Sequence, residues 1–101
     1  MKISDDKIKI ISQYFHDKPI QKAFLFGSQV KGEATPESDI DILVELDYPR
    51  LNGGFQFVKM QLDLQDLLKQ KVDLLTDKAV SKYMRPYIEK EKQLIYEKEY
   101  S

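Results

Sequence analysis

The sequence predicts a small α/β (α+β) domain, a mixed β-sheet with helices packed on it. Short apolar runs that read as strands alternate with longer segments whose apolar residues recur every three or four positions. The 101 residues suffice for one hydrophobic core and are too few for two. A composition of 42% hydrophobic and 33% charged residues is that of a globular protein rather than a disordered chain.

Each element has a local cause. Ser4 or Asp5 can cap a first helix in which Ile8, Ile11 and Phe15 fall on one face. Pro19 closes that segment by pushing its predecessor out of the helical region. Lys22–Phe26 is a short aromatic-rich run that stops at Gly27-Ser28 and reads as a buried strand, with a short helix expected after the turn. Gly32–Ser38 is loop chemistry around Pro36, and Ile40–Leu46 is a second strand. Leu51–Gly54 is a connector, followed by a leucine-rich helix from Phe55 to Lys69. Val72–Leu75 is a third strand ending at Thr76-Asp77. A helix is expected from about Ser81 to Lys92 with Pro86 near its first turn, and Leu94–Glu97 as a last edge strand. This order suggests a sheet with one face covered by helices.

Composition excludes several function classes. The absence of cysteine removes disulfide frameworks, thiolate catalysis and sulfur-ligated zinc. His16 is the single histidine, which leaves no multi-histidine metal site. No apolar run approaches the roughly 20 residues of a membrane span, and MKISDDKIKI lacks the apolar segment of a signal peptide, so a cytoplasmic protein is expected. Sixteen basic against 17 acidic residues give a net charge of −1, and nucleic acid is disfavoured as the main partner.

Asp39-Ile40-Asp41 is the most informative tripeptide. On a strand, Asp39 and Asp41 project to the same face about 6.5–7 Å apart at Cα, while Ile40, Ile42 and Val44 face a core. Paired carboxylates suit a hard divalent cation such as Mg²⁺. Taken alone, the tripeptide also fits a loop cap followed by a solvent-facing aspartate. Gly27-Ser28 sets a strand-to-helix corner where backbone N–H groups, a hydroxyl and, one turn on, Lys31 can meet a phosphate. By itself that corner also fits a plain helix cap. Ten residues separate the two motifs, enough to bring their strands side by side. Asp73, flanked by Val72 and Leu74, faces away from the core and can join Asp39 and Asp41. Three such carboxylates can hold two Mg²⁺ ions for displacement at phosphorus.

The pattern Gly27-Ser28, ten residues, Asp39-Ile40-Asp41 and a later strand bearing Asp73 resembles the DNA polymerase β-type nucleotidyltransferase superfamily. Within it, the chain is similar to the minimal nucleotidyltransferases (MNT), stand-alone domains of about this length. The resemblance covers nearly the whole chain, including the leucine-rich helix before Val72 and the ending in Ile-Tyr. It implies one minimal nucleotidyltransferase domain over residues 1–101, with Mg²⁺ (two ions) as cofactor and ATP as nucleotide donor. Gly27, Ser28, Lys31 and Ser38 would bind the nucleotide phosphates, Asp39, Asp41 and Asp73 would ligate the metals, and Asp73 would also take the acceptor's proton. It further implies that the domain is the antitoxin of a HEPN-domain RNase toxin, silencing it by transferring AMP to a hydroxyl, such as that of a tyrosine. An alternative is an antitoxin with weak or no catalysis that neutralises its partner by binding alone. Lys31 stands where relatives often carry arginine, which keeps the charge and loses the bidentate fork.

Other residues have plainer explanations. His16 is expected at a surface helix end. Tyr83, Tyr87, Tyr96 and Tyr100 suit packing or an amphipathic face, Glu89–Lys92 a solvated helix face, and Tyr48, Phe55 and Phe57 ordinary core use.

Overall fold

A computed structural model describes residues 5–27, 39–47 and 55–98. The chain runs α1 (Asp5–Phe15), β1 (Ile20–Phe26), β2 (Ile40–Leu46), α2 (Phe55–Leu68), β3 (Val72–Thr76), a 3-10 turn (Asp77–Ala79), α3 (Arg85–Glu91) and β4 (Gln93–Glu97). The Ser4 cap, the short helix after Gly27, the Gly32–Ser38 loop, the Leu51–Gly54 connector, Tyr48 and Tyr100 lie outside the described residues.

The four strands form one mixed sheet in the order β3-β2-β1-β4. β1 pairs antiparallel with β2 and β4, and β3 lies parallel to β2, reached through α2. Alternation along the strands divides the apolar side chains between two faces. On one face Ala23, Leu25, Ile40, Ile42, Val44, Val72 and Leu74 pack against Ile11 and Phe15 of α1 and Met60, Leu64 and Leu68 of α2. On the other, Phe24, Phe26 and Leu43 meet Ile88 of α3. Helices therefore cover both faces, where the sequence suggested one. α3 buries Ile88 alone, so it carries no apolar periodicity from which its docking face can be read.

At each edge of the sheet a helix engages some of the backbone groups. At β3, the N–H groups of Val72 and Leu74 donate to Gln65 Oε1 and Gln61 Oε1, each at 3.1 Å, from residues one turn apart on α2. At β4, the register slips so that Ile95 is an extra residue, and Ser12 Oγ of α1 donates to its carbonyl at 2.9 Å. We expect Gln61→Leu and Gln65→Leu each to cost about 1 kcal/mol in chemical denaturation, because each strands a backbone donor at the strand edge.

Several boundaries differ from the sequence reading. β1 begins at Ile20, directly after Pro19, with an irregularity in its pairing between Ile20 and Lys22. α3 starts at Arg85 rather than Ser81. Pro86 sits in its first turn, where its missing N–H costs nothing, and Ser81 instead closes the turn that leads into the helix by accepting from Met84 N at 3.2 Å. Thr76 caps the 3-10 turn through Ala79 N. Tyr83 and Tyr87 are 76% and 71% exposed rather than packed, whereas Tyr96 lies half-buried against Phe15. Lys92 does not lie on a solvated face, since its Nζ sits 4.3 Å above the Phe24 ring. His16 is exposed just past α1, and Phe57 packs against the core. No helix among the described residues is long and apolar enough to cross a membrane.

Candidate active site

The site begins where β1 ends. Phe26 lies opposite Asp41 across the antiparallel pair, and Gly27 follows with φ +74°. That left-handed turn favours glycine, and a Cβ here would stand 2.5 Å from Asp41 Oδ2. Asp41 is thus pressed against a bare stretch of backbone.

The parallel pairing of β2 and β3 sets Asp41 directly opposite Asp73, just as it sets Ile40 opposite Val72 and Ile42 opposite Leu74. The isoleucine, valine and leucine members of this ladder enter the core, so Asp41 and Asp73 share the opposite face with Leu43 and Phe26. Asp39 precedes β2, and its Oδ2 lies 3.7 Å from Lys71 Nζ at the foot of β3. Burial pushes the Asp41 carboxyl from 3.8 up to about 6, aided by the charges of Asp73 and Asp39 and a hydrogen bond to Asp73, with Lys71 pulling the other way. The structure therefore brings Gly27, Asp39, Asp41 and Asp73 to one end of the sheet. Ser28, Lys31 and Ser38 lie outside the described residues.

The donors are carboxylate oxygens alone, a set that suits Mg²⁺ or Mn²⁺ and not zinc. Burial, and then the neighbouring charges of Asp73 and Asp39, disfavour the charged form of Asp41, and a divalent cation would relieve that. The residues fit such an ion. Among the described residues no three acidic or imidazole side chains are gathered around a single ion position. Sequence reasoning missed Lys71, although its place two residues before Asp73 assigns it to the same face.

Comparison with known proteins narrows the chemistry. The signature of the family described as "Polymerase beta, Nucleotidyltransferase" matches residues 8–101. A Methanocaldococcus jannaschii protein that carries the provisional name protein adenylyltransferase MJ1379 is 39% identical over 90 residues, 87% of this chain and 84% of the relative. The protein adenylyltransferase MntA of Thermococcus cleftensis is 36% identical over 66 residues, 59% of this chain and 65% of MntA. Among solved structures, a toxin–antitoxin complex with AMP-PNP superposes at a TM-score of 0.72 with 21% identity, over 96% of this chain and 76% of the other. The complex of a tri-AMPylated Shewanella oneidensis HEPN toxin with its MNT antitoxin gives 0.71 and 18%, over 94% and 73%. These likenesses establish a shared fold. With a signature spanning nearly the whole chain and its glycine corner and aspartates gathered at one end of the sheet, the protein belongs to the polymerase β nucleotidyltransferase family.

Proposed function

We propose that residues 1–101 form one minimal nucleotidyltransferase domain that transfers AMP from ATP to a tyrosine hydroxyl of a partner HEPN ribonuclease toxin, acting as its antitoxin in the cytoplasm. The observation that carries this reading is the in-register pair Asp41 and Asp73 beside side-chain-free Gly27. The names of the curated relatives and the toxin–antitoxin complexes that share the fold support the choice of donor and partner.

In this reading Asp39, Asp41 and Asp73 hold Mg²⁺, which when bound neutralises the triphosphate and the departing pyrophosphate. Gly27, Ser28, Lys31 and Ser38 take the phosphates, the open backbone at Gly27 allowing close approach. The acceptor oxygen attacks the α-phosphorus, the bond to the bridging oxygen breaks, and pyrophosphate leaves. Asp73 accepts the phenolic proton.

Intact mass spectrometry of a candidate HEPN toxin after incubation with this protein, ATP and Mg²⁺ tests the proposal. The expected result is a mass increase by whole AMP units that disappears with Asp39→Ala. Neutralisation of the partner without any mass change would instead favour inhibition by binding alone.

A further inference from the structure

Lys71 occupies a position that the proposed chemistry does not use. Its carbonyl accepts from Ile40 N at 2.9 Å, which fixes the start of β3 beside the start of β2. The register that faces Asp41 with Asp73 then sets Lys71 beside Asp39, and Nζ lies 3.7 Å from Oδ2 with the two side chains 66% and 41% exposed. A loose pair between such solvated groups contributes little to stability. Its importance lies in its place, because it puts a positive charge on a carboxylate that a divalent cation would need. Lys71 also borders an open cleft of about 540 Å³ with Gln65 and Gln70, so its side chain has room to swing away.

We propose that Lys71 is a built-in competitor for the cation, neutralising Asp39 in the metal-free protein and yielding that carboxylate when Mg²⁺ binds. It thereby sets the Mg²⁺ concentration at which the site fills. This inference rests on the metal reading given above. Lys71 is a positioning residue that acts through Asp39, and the exchange is one counter-ion for another with no covalent step.

The test is a titration with Mn²⁺ alone, free ion being followed by electron paramagnetic resonance, so that the readout does not depend on transfer activity. Lys71→Gln is expected to tighten Mn²⁺ binding about fivefold, as loss of a unit charge at this distance implies. Lys71→Arg should stay near wild type. Lys69→Gln is the control, an exposed residue at φ 55° in the preceding turn whose loss changes net charge equally, and it should shift affinity less than twofold. Unchanged or weaker binding by Lys71→Gln, or equal tightening by Lys69→Gln, overturns the inference while leaving the metal site standing. Wild-type protein that binds no Mn²⁺ overturns the inference and the metal reading together.

Discussion

Asp41→Asn is expected to abolish AMP transfer, a loss of about a thousandfold or more, while making the metal-free protein more stable at neutral pH. The first effect follows from removing a carboxylate proposed to hold the metal, whose stabilisation of the transferring phosphoryl group would be worth several kcal/mol. The second follows from the raised Asp41 pKa. A carboxyl that titrates at about 6 in the folded protein and near 3.8 in the unfolded chain binds its proton more tightly when folded. Its contribution to stability is therefore fully present below about pH 4 and is lost as pH rises through 6. Asp41 is partly exposed, so solvent screening reduces the effect to about 1 kcal/mol. Thermal melts in EDTA between pH 4.5 and 7.5 should show a slope from this group in the wild type that is missing in Asp41→Asn. A variant no more stable than wild type at pH 7.5 would contradict the account of the site's electrostatics.

Gly27→Ala is expected to cost about 1–2 kcal/mol of stability and to lower transfer by about a hundredfold. The stability loss comes from forcing a side chain into the left-handed region at φ +74°. The loss of activity comes from the new methyl, which would stand 2.5 Å from Asp41 Oδ2 and must turn that carboxylate out of place. Equilibrium denaturation and a radiolabelled-AMP transfer assay separate the two effects. Raising Mg²⁺ should restore little activity, since the carboxylate proposed to hold it is itself displaced. Full transfer activity in a folded Gly27→Ala protein would show that Asp41 need not sit against this corner.

The parts of the fold legible in the sequence were those where one strong local signal met no competitor. β2 emerges with its bounds intact because Ile40–Leu46 is a dense apolar run between loop residues. The two-residue period of strands also assigns Asp41 and Asp73 to the face opposite Ile42 and Leu74, and the parallel register brings them together. Where tertiary contacts decide, the sequence is silent. α3 docks through Ile88 alone, and Ser81 looks like the start of the helix although it closes the turn before it. Gln61 and Gln65 read as ordinary polar positions of a helix, and their work becomes visible only once β3 lies beside them. Lys71 is illegible for a similar reason, its meaning depending on the register that carries it to Asp39.

The glutamines that occupy the β3 margin and the slipped, serine-tied β4 margin have a consequence for how this molecule meets other chains. With two β3 amides already taken by glutamines and the β4 border interrupted by an extra residue whose carbonyl is tied to a serine, an incoming polypeptide has fewer open groups for main-chain zippering, which reads little sequence. Recognition passes to side chains on the outer surfaces.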